Sequence, residues 1–228
     1  MTDRPLEGRT ALITGAGRGL GKSMAEGLAA QGARIALVDL DEDVLAAAVA
    51  AVEASGGQGC AFGVAADVTE QARAQAAIDA TVEAFGGLDI LINDAALGPQ
   101  VFSDNFFADK PKFWEIDPEL WHRAQLMSSL AAPLLIDRGW GRIINVTTSL
   151  DTMYLSGSGA YGPSKAALEA NSRIMSEDLE KTGVTANVLI PGGPANTRMI
   201  PDATGFARDA LVQPEAMRAP VSWLCSTD

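Results

Sequence analysis

Short apolar runs alternate with longer stretches of helical period along most of the chain. Thr10 to Thr14 is a compact apolar run, followed by a glycine-rich loop and a helical pattern from about Leu20 to Gln31. Arg34 to Val38 is a second strand, ending at Asp39. Asp41 to Ser55 is an Ala-rich helix stopped by Gly56-Gly57. Cys60 to Ala65 forms a third strand, followed by Asp67, and Thr69 is placed to cap a helix running toward Phe85. Leu88 to Asn93, Arg142 to Val146 and Thr185 to Ile190 complete the expected strands, and Pro214 to Cys225 reads as a last helix. Strands separated by amphipathic helices predict βαβ crossovers and an α/β fold whose parallel sheet is covered on both faces.

Composition narrows the function classes. The chain has 228 residues, enough for one domain spanning 1–228 with a substantial core. Its net charge is −12, and this acidic surface argues against nucleic-acid phosphates as partners. No stretch approaches the roughly 20 uninterrupted apolar residues of a membrane span. The N-terminus lacks the apolar region of a signal peptide, so a cytoplasmic location is expected. Cys60 and Cys225 are too few for a disulfide scaffold or a metal site. His122 is the sole histidine, which excludes a multi-histidine metal centre; it reads as a partly exposed helix residue, and no metal is expected. The segment from Ala96 to Pro118 has no clear period but carries Phe102, Phe106, Phe107, Phe113 and Trp114. It is either a loop anchored by its aromatics or a wall of a substrate pocket.

Two constellations carry chemistry. Tyr161 and Lys165 are spaced i and i+4, on one face of a helix, with Ser149 upstream. A phenol titrates near 10 in isolation and is a poor acid–base group at neutral pH. A neighbouring ammonium favours the phenolate and is expected to lower the phenol's pKa. The Ser149 hydroxyl would then hold the carbonyl or alcohol oxygen with which Tyr161 exchanges a proton, which suits carbonyl reduction or alcohol oxidation. The second constellation is Thr14-Gly15-Ala16-Gly17-Arg18-Gly19-Leu20-Gly21 at a strand–helix junction. Backbone N–H groups and a positive helix end there suit a pyrophosphate, with Gly15, Arg18, Gly19, Leu20 and Gly21 as candidate contacts. The spacing is not G-x-G-x-x-G. Asp39, at the end of the second strand, fits the acid that accepts bonds from adenosine ribose hydroxyls and repels a 2′-phosphate. Asp39 therefore favours NAD over NADP, while Arg18 pulls the other way.

The set Thr14-Gly15-x-x-x-Gly19-x-Gly21, Asp67, Ser149 and Tyr161-x-x-x-Lys165, in this order over nearly the whole chain, resembles the short-chain dehydrogenase/reductase family. The resemblance implies a Rossmann-type doubly wound parallel sheet, a nicotinamide dinucleotide, hydride transfer on a small alcohol or ketone, and a homodimer or homotetramer. It implies that Tyr161 is the acid–base residue, that Lys165 also binds the nicotinamide ribose, and that Ser149 orients the substrate oxygen. Asp67 with Val68 is similar to the adenine-contacting pair, and Pro191-Gly192 to the loop over the nicotinamide. Thr197 would bind the carboxamide or a phosphate, and Asn93 is retained from the family's run after the fourth strand.

The chain departs from that family in three places. Asn93-Asp94-Ala95-Ala96 replaces Asn-Asn-Ala-Gly, and the Asp94 carboxylate needs a partner or solvent. The helix before the fifth strand is short by about ten residues near Ala124-Gln125, judged by the resemblance. It lacks the asparagine of the family's proton relay; an interruption between Trp121 and Ser129 is the favoured expectation over a continuous helix from Pro118 to Arg138. A final strand is also expected to be missing after Asp228, either because the protein is reduced or because the sequence is part of a longer polypeptide. These departures keep a second reading open, a catalytically weak dinucleotide-binding or regulatory protein. A serine hydrolase using Ser149 is disfavoured, because Thr148-Ser149-Leu150 lacks a nucleophile elbow.

Overall fold

The structure is a computed structural model that describes residues 4–96, 126–156, 161–200 and 202–226. Its sheet has six parallel strands in the order β3-β2-β1-β4-β5-β6: β1 (Thr10–Thr14), β2 (Arg34–Asp39), β3 (Ala61–Ala65), β4 (Ile90–Asn93), β5 (Gly141–Val146) and β6 (Val184–Leu189). The helices are α1 (Gly19–Ala30), α2 (Glu42–Gly56), α3 (Gln71–Phe85), α4 (Leu126–Asp137), α5 (Leu150–Met153), α6 (Tyr161–Asp178) and α7 (Arg218–Ser226).

Alternate strand residues feed two separate cores, because successive side chains leave opposite faces of a strand. Ala11 and Ile13 of β1, Ile35 and Leu37 of β2, and Ile90 and Ile92 of β4 pack with Met24 and Leu28 of α1, Val52 of α2 and Val221 of α7. Leu12, Ala36, Val38 and Leu91 face the other way, onto Ile78 of α3 and Met127, Ala131 and Leu135 of α4. Burial on both faces explains why these strands read as unbroken apolar runs. The doubly wound sheet with helices on both faces is as the sequence predicts.

Element ends differ from the sequence reading for local reasons. Asp41 is the N-cap of α2, accepting from the Asp43 N–H at 3.2 Å. The cap of α3 is Glu70 rather than Thr69. Thr69 is instead tied to the Asp67 carboxylate, through its N–H at 2.9 Å and its hydroxyl at 2.6 Å. The expected helix from Pro214 divides into a 3-10 turn, Pro214–Met217, and then α7. Pro220 has no N–H to give the carbonyl four residues back, so the segment tightens before it becomes α-helical. Helix α4 runs unbroken from Leu126 through Ser129, so no interruption falls in that part; at 1.5 Å per residue it is about 18 Å long. Trp121 to Gln125, His122 among them, and the aromatic segment after Ala96 lie outside the described residues.

The N-terminal ends of the strands are closed by a buried carboxylate. Asp89 accepts from the Thr10 N–H at 2.9 Å and from Arg9 and Arg138 at 3.2 and 3.1 Å. Arg9 also lies over the Trp140 ring, 3.5 Å from its centroid. Full pairing is what makes a fully buried charge tolerable. Among the described residues, no such carboxylate closes the C-terminal ends. There the winding reverses between β1 and β4, which leaves a crevice outside the sheet.

Candidate active site

The glycine-rich loop leaves β1 at this crevice. Thr14 pins it to the loop after β4: its Oγ1 accepts from the N–H groups of Asp94 and Ala95 at 3.2 and 3.1 Å. Gly15 packs directly on Ala95, and the Ala16 N–H bonds to the Val38 carbonyl at 3.1 Å. Gly19 has φ +57°, a left-handed conformation that opens α1. The first bond within that helix runs from the Lys22 N–H to the Arg18 carbonyl, so the N–H groups of Gly19 and Leu20 leave through its end. Leu20 contributes only this backbone group, since its side chain packs against the core. A Cβ at Gly21 would lie 2.5 Å from the Gly15 carbonyl oxygen and 2.9 Å from an Asp94 oxygen. Only glycine allows this approach of helix, loop and carboxylate.

Asp39 stands at the end of β2 beside the loop. One of its oxygens accepts from the Gly17 N–H at 2.9 Å, the other from the Asp41 N–H at 3.1 Å. Each oxygen keeps a lone pair for a further donor. Arg18 is ion-paired with Asp41 across the loop mouth. Asp67 follows β3 in its turn with Thr69, and Val68 rests on the second core.

On the other side of the crevice, the chain after β5 carries three hydroxyls, Thr147, Thr148 and Ser149. Ser149 caps α5, bonding to the Thr152 hydroxyl at 3.1 Å and N–H at 3.4 Å. Tyr161 and Lys165 begin α6, both nearly buried, at 9% and 8% exposure. Thr148 is the side chain that acts on the Tyr161 hydroxyl, favouring its ionised form, while Ser149 is engaged with Thr152. Thr148 is thus a site residue that the sequence reading missed, although the run of hydroxyls signalled it. The Lys165 Nζ donates to the Val146 carbonyl at 2.9 Å and lies 5.7 Å from the Tyr161 ring centroid.

The electrostatics differ from the expectation that Lys165 lowers the Tyr161 pKa. Burial pushes the phenol up; Thr148 opposes this and the Asp94 charge adds to it. Burial also pushes the Lys165 ammonium down, against the attraction of Asp94. Part of Asp94 reaches solvent, but its carboxyl group is packed against Gly21, and burial raises it to about 7 despite Lys165 and the Gly21 N–H, with Asp39 adding repulsion. The two partners move in opposite directions because desolvation penalises both charges and their mutual attraction only partly restores them. The sequence required a partner or solvent for Asp94: the residue is partly exposed, and on the protein side the Gly21 N–H and the Lys165 charge favour its ionised form.

Asn93 does not face the crevice through its amide nitrogen, which donates to Ser128 at 2.9 Å and to Asn145 at 2.8 Å. Asn145 continues to Ser172 at 2.8 Å. This chain of bonds joins β4 and β5 to α4 and α6 and holds the floor of the site.

The loop after β6 returns over α1. Pro191 and Gly192, with φ +89°, turn the chain, and bonds from Asn196 N–H to Val212 and from Val212 N–H to Pro194 tie the two ends of the returning segment together. Thr197 comes to rest on the glycine loop, its Cγ2 3.3 Å from the position a Gly19 Cβ would take. A cleft of 540 Å³ lies here, lined by Arg18, Lys22, Thr197, Arg198 and Arg208 among others. Leu150, Tyr154 and Leu155, in and just after α5, and Phe206, after the returning segment, are exposed apolar side chains.

Residues 9–205 match the short chain dehydrogenase family. The chain is 33% identical over 201 residues to 2,5-dichloro-2,5-cyclohexadiene-1,4-diol dehydrogenase LinX of Sphingobium indicum, covering 86% of this chain and 78% of that one. Among solved structures, a short chain dehydrogenase from Mycobacterium paratuberculosis bound to NAD superposes with a TM-score of 0.80 at 27% identity, over 97% of this chain and 92% of that one. A metagenomic short-chain oxidoreductase in complex with NADP gives 0.79 at 24% identity, over 98% and 93%. At that identity the likeness is one of fold.

Proposed function

In a chain that belongs to the short-chain dehydrogenase/reductase family and is an oxidoreductase of that family, we propose that the site interconverts a secondary alcohol and a ketone with NAD. The observation that carries this is the placement of Tyr161 and Lys165 on one face of α6, across the crevice from the glycine loop. Bound NAD would supply the hydride acceptor, and its reduced form the donor.

The loop fits a dinucleotide, because Gly19 and Gly21 leave no side chain at the helix end and the first-turn N–H groups point outward. Gly15, Arg18, Gly19, Leu20 and Gly21 would hold the pyrophosphate end, with Thr197 above them. Asp39 would hold the adenosine ribose, and Asp67 and Val68 the adenine. Pro191, Gly192, Asn93, Tyr161 and Lys165 would bound the nicotinamide half, with Asn93 acting through the floor it braces.

At the substrate end, the Tyr161 hydroxyl gives its proton to the carbonyl oxygen in reduction and takes one from the alcohol in oxidation. Lys165 keeps a positive charge near the phenol, anchored on the Val146 carbonyl. Ser149 turns from its cap to orient the substrate oxygen, and Thr148 holds the phenol in place. The exposed apolar side chains of Leu150, Tyr154, Leu155 and Phe206 suit a partly apolar substrate. Assembly as a homodimer or homotetramer and a cytoplasmic location belong to the same proposal; exposed Ile136 and Ile174 and the free thiols of Cys60 and Cys225 support them.

Tyr161→Phe tests the reading. It keeps the ring and removes the proton, so turnover followed at the NADH absorbance is expected to fall by about three orders of magnitude while NADH binding by fluorescence is retained. Wild-type turnover in the variant removes Tyr161 from the chemistry. The raised phenol and the Asp94 charge favour the alternative, a catalytically weak dinucleotide-binding protein. Under that alternative the wild type binds NADH but shows no hydride transfer with any of a panel of secondary alcohols and ketones.

A further inference from the structure

We propose that Asp94 couples dinucleotide binding to the uptake of one proton: the pocket admits the pyrophosphate with this carboxyl group protonated and resists it with the carboxylate. The inference rests on the dinucleotide reading of the site and adds to it a linkage between cofactor affinity and pH.

The loop after β4 brings Asp94 against the glycine loop. The N–H groups of Asp94 and Ala95 are both held by the Thr14 hydroxyl, which fixes where the Asp94 side chain starts. That side chain turns toward the first turn of α1, where one carboxyl oxygen lies 2.9 Å from the position a Gly21 Cβ would take. The N–H groups of Gly19 and Leu20 leave the helix end at the same turn, because the first bond inside it runs from Lys22 to Arg18. A carboxyl group and the anion-binding end of α1 therefore share one glycine-lined space. Three ionisable groups act on Asp94 from other elements: Asp39 at the end of β2, and Tyr161 and Lys165 on α6. The cations at the start of α1 are engaged elsewhere, Lys22 with Glu26 and Arg18 with Asp41.

The balance of charge sets the linkage. When all are ionised, the Asp39 and Asp94 carboxylates outweigh the single Lys165 ammonium. A pyrophosphate brings further negative charge to the same helix end, and like charges repel more strongly in a partly buried site than in water. Protonating Asp94 removes one repelling charge and leaves the loop where it is. The proton is available near neutrality, because burial already raises this carboxyl group to about 7 in the free protein. Added anionic charge displaces it further in the same direction. Below about pH 7 the free and bound forms both hold the proton, and affinity is independent of pH. Above about 7 the free form has lost it and the bound form regains it, so affinity falls about tenfold per pH unit. Loss of the Lys165 charge would also weaken binding at high pH, and the test separates the two groups.

NADH and ADP-ribose serve as probes, since both carry the pyrophosphate and neither needs turnover. Dissociation constants are measured from about pH 6 to 9 on the wild type and Asp94→Asn, NADH by fluorescence and ADP-ribose by titration calorimetry. Calorimetry at about pH 8 in two buffers of different ionisation enthalpy gives the protons taken up on binding. The wild-type constants are expected to be level up to about pH 7 and then to rise about tenfold per unit, with roughly half to one proton taken up at pH 8. Asp94→Asn should bind with less than about twofold change across the range and take up no proton. A wild-type measurement stands beside the variant: a carboxyl group ionises with little enthalpy, an ammonium or phenol with much, so the midpoint should hardly move with temperature. A level wild-type profile overturns the proposal. So does a wild-type slope retained in Asp94→Asn, or a midpoint that shifts with temperature as an ammonium does, either of which assigns the proton to Lys165 or Tyr161. Failure of the wild type to bind either probe at any pH overturns the dinucleotide reading, and the proposal with it.

Discussion

Replacing Asp94 by Asn is expected to flatten the fall in stability that the wild type suffers as pH rises toward neutrality. The carboxyl group is raised from 3.8 to about 7 in the folded protein, chiefly by burial. Below about pH 4 the group is protonated in both the folded and unfolded chains and contributes nothing. Between about 4 and 7 the unfolded chain releases the proton and the folded chain keeps it, so stability falls as pH rises. Above about 7 the full penalty is present, at most about 4 kcal/mol from the size of the displacement.

Asparagine still offers the Gly21 N–H an amide oxygen, a weaker acceptor than a carboxylate, and carries no charge to desolvate. The gain is smaller than the full penalty, because Lys165 loses the carboxylate that opposes its own downward displacement. About 2 kcal/mol at pH 8 is a reasonable net, or roughly 4–8 °C in Tm for a chain of this size. The assay is urea unfolding of both proteins at pH 5.5, 7.0 and 8.5, with m values checked for equality. Wild-type stability should drop across the series, while that of Asp94→Asn stays level or rises slightly. Parallel curves for the two proteins would refute the reasoning, since they would show that Asp94 titrates alike in the folded and unfolded chains.

Lys165→Ala should damage both turnover and NADH affinity, because one ammonium supports the phenol and faces the nicotinamide ribose; an unchanged dissociation constant by NADH fluorescence removes the second role. Asp39→Ala should narrow the kcat/KM preference for NAD over NADP by about tenfold, and a wild-type preference for NADP would sink the premise. Gly21→Ala forces a methyl against the Gly15 carbonyl and Asp94, at a cost of about 2 kcal/mol. Thermal melting and an NADH titration check it, and a variant indistinguishable from wild type in both would show that the helix end has room to spare.

The order of strands and helices was legible in the sequence because a parallel sheet buried on both faces demands unbroken apolar runs such as Ile90–Asn93, separated by helical period. The glycine loop, Asp39, Tyr161 and Lys165 could be proposed as site residues from the sequence for a related reason: the chemistry proposed for them depends on residue type and on local spacing along one loop or one helix face. Tertiary structure decided what depends on meetings between distant segments. The Asn93 amide braces Ser128 and Asn145, Thr148 acts on the Tyr161 hydroxyl, and Asp41 captures Arg18. The direction of the Tyr161 and Lys165 displacements belongs to the same class. Spacing showed that the two groups are neighbours, but how far each is removed from water is set by the packing of α6 against the sheet, and desolvation there outweighs their proximity.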